Sequence, residues 1–223
     1  MRLHLAEGLT LPLEAATQTF LVVGNPGGLN SSERAMQERL SSAGLNVVIV
    51  DDDALSNPGP CELVLLSKTS QSLTVGKKIK DVDCGLVFWE DNQQMLSMMA
   101  TIDNDGSGGT AWHSNRTSVI VQDGAPSELR AGQTGTIQFY SRGGEITWAP
   151  DGDLPGSAIV IALLGSPTNG RTAIYAFEKG AALADGSPAA GRRVYFGLYD
   201  DTFVLLTPAG LALFDAAVAW ARN

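Results

Sequence analysis

The chain has 223 residues, 44% hydrophobic and 17% charged, which is typical of a soluble globular protein with one substantial α/β domain. Its formal net charge of −9 repels phosphate backbones, and it has no basic stripe, so we expect no nucleic-acid partner. No apolar run approaches the roughly 18 residues of a membrane span, so we expect no membrane partner.

The first half of the chain alternates apolar runs with helical patterns. FLVVG, which begins at Phe20, is a continuous apolar run, typical of a strand buried on both faces. Asn30, with Glu33 three residues later, predicts a capped helix that stops at Gly44. NVVIV, ELVLLS and GLVFW predict three more buried strands, with short helices over 73–79 and 92–100. This order predicts a doubly wound, mostly parallel sheet with right-handed crossovers.

The second half is rich in turns. TSVIVQD, TGTIQFYS, EITWAP and AIVIALLG predict short strands that form an antiparallel extension over residues 118–165. TAIYAFEKG and RRVYFGLYD predict a hairpin that returns to the main sheet. Thr207 as N-cap and Pro208 at the first helical position predict a closing helix. We therefore predict a single domain over residues 20–223, preceded by an N-terminal extension, residues 1–19, whose origin the sequence leaves open.

Cys61 and Cys84 each precede an apolar run, and we expect those runs to form neighbouring parallel strands. The starting ends of such strands lie within bridging distance, which leaves a disulfide or two small buried thiols as alternatives. We favour the two thiols. Neither cysteine has a CxxC partner or a nearby histidine, so we expect no metal bound through sulfur.

Acidic side chains follow two of the apolar runs. Glu90 and Asp91 follow the run GLVFW. Glu90 could act as a general acid, a general base or a nucleophile, with its neighbours Trp89 and Asp91 as ligand-binding residues. The alternative is a carboxylate that caps the next helix. Asp200 ends RRVYFGLYD and Asp201 follows it; one of them could face Glu90, and Asp201 could bind a ligand, if the two strands are neighbours. Such convergent carboxylates could support hydrolysis or hold a divalent cation, whereas the alternative is a solvated acidic turn.

The loops after the first and third apolar runs border the same crevice. Asn25 and Pro26 follow the first run, and Ser67 and Thr69 follow the third, so they offer amides and hydroxyls suited to sugar or carboxylate ligands. His113 follows a glycine-rich segment and could fold over the crevice as a base. The alternative for His113 is an ordinary surface histidine.

Three segments together resemble a known family: FLVVGNPGGLNSSERAMQERLSSAGLNVVIVDD, LVLLSKTSQS with GLVFWE, and AIYAFEKG with AGRRVYFGLYDD and LTPAGLALFDAAVAWA. They resemble the class I glutamine-amidotransferase-like superfamily, within it the ThuA-like (trehalose-utilisation-like) and β-galactosidase-trimerisation-like group. The resemblance covers about residues 20–222. It implies a flavodoxin-like α/β sheet with a functional crevice at the carboxyl ends of strands one, three and four.

The chain departs from the catalytic members of that superfamily at two places. They carry a cysteine in a tight Gly-x-Cys-x-Gly elbow, whereas Glu90 stands there in this chain, flanked by Phe88 and Asn92. The histidine of the superfamily should fall near GLYDD, where this chain has Asp200 and Asp201. Glutaminase chemistry through a cysteine thiolate is therefore excluded.

Two classes of function follow. The first is a non-catalytic module that binds a small polar ligand such as a sugar, or that mediates homo-oligomers. The second is a cysteine-independent hydrolase of esters, phosphoesters or glycosides, which would use Glu90 with Asp200 or Asp201. The absence of the superfamily's catalytic cysteine and histidine favours the non-catalytic module. We expect no resident cofactor, with a divalent cation at these three carboxylates as the alternative.

The N-terminal residues lack the compact apolar segment of a secretory signal, so the chain as written is predicted to be cytoplasmic. A longer precursor that carried a signal peptide would instead be secreted.

Overall fold

A computed structural model describes residues 17–55, 61–100, 113–165 and 170–223. The helices are α1 (Ser31–Ser42), α2 (Ser72–Val75), α3 (Gln93–Leu96) and α4 (Pro208–Ala221). The strands, in chain order, are β1 (Gln18–Val23), β2 (Asn46–Asp51), β3 (Cys61–Leu66), β4 (Gly85–Phe88), β5 (His113–Arg116), β6 (Ser118–Val121), β7 (Gly135–Gln138), β8 (Gly144–Ile146), β9 (Ala149–Pro150), β10 (Ile159–Leu163), β11 (Arg171–Phe177) and β12 (Arg193–Phe196).

One mixed sheet runs through the described residues in the order β2-β1-β3-β4-β12-β11-β10-β6-β7, and β9 pairs with β11. The strands from β2 to β12 are parallel, and those from β12 to β7 are antiparallel. Strands β5 and β8 form a separate two-stranded sheet. The predicted α/β, flavodoxin-like class is confirmed, with the predicted hairpin, β11 and β12, joining the parallel and antiparallel parts.

Alternating side chains of the central strands form two apolar cores, one on each face of the sheet. On one face, Leu65 and Val87 pack in the cluster that includes Met36 of α1 and Phe214 of α4. On the other face, Leu66 packs in a cluster with side chains from α2 and from the loops around it. Because successive strand residues point to opposite faces, this arrangement requires the continuous apolar runs seen in the sequence.

The ends of α1 form as the sequence predicts. The side chain of Asn30 accepts a hydrogen bond from the Glu33 backbone N–H at 2.8 Å, and the Glu33 carboxylate accepts one from the Asn30 N–H at 2.9 Å. Gly44 follows the helix with a positive φ of 85°, a conformation that glycine adopts without steric cost.

Some predicted elements differ in extent or burial. The helix predicted over 92–100 ends at Leu96, and Met98 then takes a left-handed φ of 58°, which a continuing α-helix does not allow. Strand β2 is only partly buried because it lies at an edge of the sheet. Strand β1 begins at Gln18, two residues before the predicted start of the domain, and residues 1–16 lie outside the described part of the chain.

The favoured expectation for the two cysteines is wrong, because Cys61 and Cys84 form a disulfide. Strands β3 and β4 are adjacent and parallel, and the two residues stand at their starting ends with Cα atoms 5.6 Å apart. This separation is in the range that a disulfide needs. The register of β3 and β4 therefore brings the two cysteines close enough to form the disulfide.

The guanidinium of Arg193, at the start of β12, is buried beneath the segment that leads into β4. It is 1% exposed and donates hydrogen bonds to the backbone carbonyls of Cys84 at 2.9 Å, Lys80 at 3.2 Å and Val82. Burial lowers the pKa of Arg193 to about 10. These hydrogen bonds hold the entry of β4 against β12.

No helix in the described ranges has the length and apolar character needed to cross a membrane.

We predict that replacing both cysteines by serine lowers the free energy of unfolding by about 3 kcal/mol, because the disulfide restricts the unfolded chain across a sequence separation of 23 residues. Urea titration of the double variant and the wild type would measure the difference. A thiol reductant should lower the stability of the wild type by a similar amount and leave the variant unchanged. A wild type that is insensitive to complete reduction would contradict the prediction.

Candidate functional site

The ammonium of Lys68 lies between two buried carboxylates at the carboxyl edge of the sheet. Its Nζ is 3.3 Å from Glu90 Oε1 and also contacts Asp91 Oδ1. Glu90 is 3% exposed and Asp91 is 5% exposed. Because Lys68 follows β3 and the carboxylates follow β4, the pairing of these two parallel strands brings the three side chains together.

The electrostatics of this group follow from its burial. Burial raises the pKa of Glu90 to about 7, and Asp91 adds to the rise while the charge of Lys68 opposes it. Burial lowers the pKa of Lys68, but the hydrogen bonds and charges of Asp91 and Glu90 outweigh this effect and raise it overall. Lys68 is therefore a cation at neutral pH. Glu90 changes between its protonated and ionised forms at about pH 7.

Both carboxylates also bind backbone groups at the start of α3. Glu90 Oε2 accepts a hydrogen bond from the Gln93 N–H at 2.7 Å, and Asp91 Oδ1 accepts one from the Asn92 N–H at 3.1 Å. Glu90 therefore caps α3, as the alternative interpretation of the sequence predicted. A catalytic role would have to act in addition to it.

Glu33 holds the loop that carries Lys68. It is 3% exposed, and its Oε1 accepts hydrogen bonds from Ser67 Oγ at 2.9 Å and Thr69 Oγ1 at 2.5 Å. These two hydroxyls, predicted as ligand groups, thus bind a buried carboxylate on α1. The sequence marked Glu33 only as part of the capping box, because its partners in the loop are more than thirty positions away.

The loop after β12 lies beside the Lys68 group. Asn30 Nδ2 donates a hydrogen bond to the Asp200 carbonyl at 3.1 Å, and Lys68 Nζ lies 5.9 Å from the centre of the Tyr199 ring. Burial raises the pKa of Asp200, an effect that Lys68 opposes and Asp91 reinforces. Tyr199 was not a candidate in the sequence; its position directly before the acidic pair in GLYDD was the available signal.

The other candidate residues lie in several different places. Asp201 lines a cavity, and Trp89 is 2% exposed and packs in the apolar core. Asn25 and Pro26 are exposed in the loop between β1 and α1. His113 is the first residue of β5, where its backbone pairs with β8, and its side chain lies outside the described part.

Among the described residues, the acidic side chains that group closely enough to hold a metal ion are Asp51, Asp52 and Asp53, whose carboxylate oxygens lie within 4.8 Å of one another. Asp52 accepts a hydrogen bond from the Gln71 N–H before α2, and Asp51 accepts one from the Asp53 N–H, so two of the three carboxylates already bind backbone N–H groups. The cation site considered from the sequence used other carboxylates, and one of them, Glu90, already contacts Lys68.

Comparison with known proteins shows a likeness of fold. No protein-family model and no curated protein sequence matches the chain. A solved structure from Bacteroides uniformis ATCC 8492, described as that of a ThuA-like protein, is similar with a TM-score of 0.55 and 13% sequence identity, over 96% of this chain and 95% of that one. This likeness supports a ThuA-like fold, in agreement with the flavodoxin-like architecture.

We predict that Glu90 makes the stability of the protein depend on pH. Folding raises the pKa of Glu90 from 4.5 to about 7, so between these values the folded chain keeps a proton that the unfolded chain has released. Raising the pH through this window therefore favours unfolding, and the contribution of Glu90 to the free energy of unfolding should fall by about 3 kcal/mol.

Urea titrations at several pH values, on the wild type and Glu90→Gln, would measure this dependence. The glutamine variant does not titrate, so its stability should change less over the same window. Parallel curves for the two proteins would show that Glu90 has an ordinary pKa.

Proposed function

We propose that the chain is a ThuA-like domain that binds a neutral, sugar-like molecule in the crevice formed by the loops after β1, β3, β4 and β12. The observation that carries this proposal is the ammonium of Lys68, fixed between Glu90 and Asp91 and close to the Tyr199 ring. The crevice lies at the carboxyl ends of the parallel strands, where α/β sheets of this kind bind their ligands.

The chemistry of these groups suits hydroxyl-bearing ligands. An ammonium has three donor positions, and Lys68 directs donors to two carboxylates, which leaves one for a ligand. The carboxylates of Asp91 and Asp200 can accept hydrogen bonds from hydroxyl groups, and the partly exposed ring of Tyr199 offers an apolar surface for a sugar ring.

The charge balance disfavours an anionic ligand. One cation, Lys68, stands among Asp91, Asp200 and Glu33, and Glu90 adds negative charge when it is ionised. A phosphate or carboxylate would be repelled by these groups, whereas a neutral polyol would not. The support for a neutral ligand therefore comes from the carboxylates that outnumber Lys68.

A binding role accounts for Glu90 better than catalysis does. Both of its oxygens have partners, Lys68 and the Gln93 N–H, and the side chain is nearly inaccessible to solvent. A catalytic carboxylate must reach the substrate. The alternative non-catalytic role, assembly into homo-oligomers, requires no ligand in the crevice. Measuring the mass of the protein in solution would distinguish it from ligand binding.

The disulfide bears on where the protein works. Bonds such as Cys61–Cys84 persist in oxidising compartments and are rare in the cytosol. The disulfide therefore supports the secreted alternative over the cytoplasmic one.

We predict that Lys68→Met weakens binding of a neutral sugar by about tenfold or more, because the variant loses a charged hydrogen-bond donor. A panel of neutral mono- and disaccharides would first be screened by thermal shift, and the hits titrated by calorimetry. Lys77→Met is the matched control, since Lys77 is exposed. If no sugar of the panel binds, or if Lys68→Met binds as well as the wild type, the proposal is wrong.

The second candidate is a cysteine-independent hydrolase, which the raised pKa of Glu90, about 7, supports. A carboxyl group with this pKa can both donate and accept a proton at neutral pH. Asp200 would be its partner, since it interacts electrostatically with Lys68 and Asp91.

For this candidate we predict that Glu90→Gln lowers turnover by about a hundredfold or more, the usual size of a general acid–base contribution. Ester, phosphoester and glycoside substrates would be assayed with the wild type and the variant, with Glu38→Gln on the exposed side of α1 as the control. A wild type that turns over none of these substrates, or a variant as active as the wild type, would exclude the candidate.

A further inference from the structure

A cavity is lined by Asp201 and Thr202, which directly follow Asp200 in the loop after β12. Its volume is about 310 Å³, near the lower end of the range for small-molecule sites. The two neighbouring aspartates differ in their surroundings: Asp200 interacts electrostatically with Lys68, whereas Asp201 lines the cavity. The other polar side chains that line it are Asn115, Arg142, Glu145 and Thr202.

The walls of this cavity are held by tight packing. A Cβ atom on Gly143 would lie 2.9 Å from the Asn115 Cα, and one on Gly144 would lie 2.9 Å from the Tyr140 ring. The Tyr140 hydroxyl is 3.0 Å from the Glu145 carbonyl oxygen and 2.9 Å from Thr202 Oγ1. It thereby connects the two sides of the cavity, which is formed without a ligand.

Charges of both signs line the cavity. Among the residues that the structure describes, no ion pair uses Arg142, Glu145 or Asp201. A guanidinium offers a planar pair of donors that matches a carboxylate, and carboxylates accept hydrogen bonds from an ammonium. The charges of the lining are therefore complementary to a ligand that carries both a carboxylate and an ammonium group.

We infer that this cavity binds a small zwitterion, such as a free α-amino acid, with its carboxylate on Arg142 and its ammonium group on Glu145 and Asp201. A carboxylic acid alone would face two carboxylates, and an amine alone would face the guanidinium, so both groups are needed for charge complementarity. Leu205 lines the cavity as well and offers an apolar contact to an aliphatic side chain. This site does not depend on the function proposed for the Lys68 crevice.

Calorimetric titration of the full chain with the proteinogenic L-amino acids tests the inference. Each hit would be compared with its two halves, which for L-valine are isobutylamine and 3-methylbutanoic acid. We expect the amino acid to bind at least about tenfold more tightly than either half, the scale of one charge-assisted hydrogen bond.

Arg142→Ala and Asp201→Asn change exposed side chains, so the variants should fold, and thermal melting would verify this. Each should weaken amino-acid binding about tenfold or more, whereas Lys77→Ala and Asp123→Asn, which change exposed side chains, should leave it unchanged. The inference is overturned if no amino acid gives saturable binding, if either half binds as well as the whole, or if Arg142→Ala has no effect.

Discussion

The pairing of β12 with β4 is the contact on which both halves of the sheet depend. Strand β12 runs parallel to β4 on one side and antiparallel to β11 on the other, so it joins the parallel and antiparallel parts. The buried guanidinium of Arg193 reinforces this junction by binding the carbonyls of the segment before β4. The same pairing carries Tyr199 and Asp200 to the edge where Lys68 stands, so these side chains meet because the two strands are neighbours.

At that edge the arrangement of side chains follows from the cost of burying charge. A carboxylate withdrawn from water needs a cation or several hydrogen-bond donors. Within the described part of the chain, Glu33 has three donors and no ion pair, whereas Glu90 and Asp91 share Lys68. Each of these contacts also fixes a loop: Glu33 holds the two neighbours of Lys68, and Glu90 caps α3. The residues that would meet a ligand are therefore positioned by buried polar contacts that need no ligand to form.

Some structural elements could be predicted from neighbouring residues in the sequence, and others could not. The ends of α1 were predictable because the capping box lies within four consecutive residues and needs no distant partner. Helix α3 was predicted too long, since nothing local indicated that Met98 would adopt a left-handed conformation. The disulfide was disfavoured because the chain alone does not report the register of β3 and β4. Trp89 was placed at the crevice, although strand alternation turns its side chain into the core.

The sequence by itself determined the α/β class, the buried central strands and the position of Glu90 and Asp91 at the end of one of them, because apolar periodicity and capping are local properties. Only the tertiary structure decided that Lys68 is their partner, that Ser67 and Thr69 bind Glu33, and that Asp200 interacts with Lys68 whereas Asp201 lines a cavity. The hydroxyls of Ser67 and Thr69 are 34 and 36 positions from Glu33, and the Asn30 side chain reaches the Asp200 carbonyl across 170 positions. These contacts form where strand order and register bring loops together, which depends on the packing of the whole sheet.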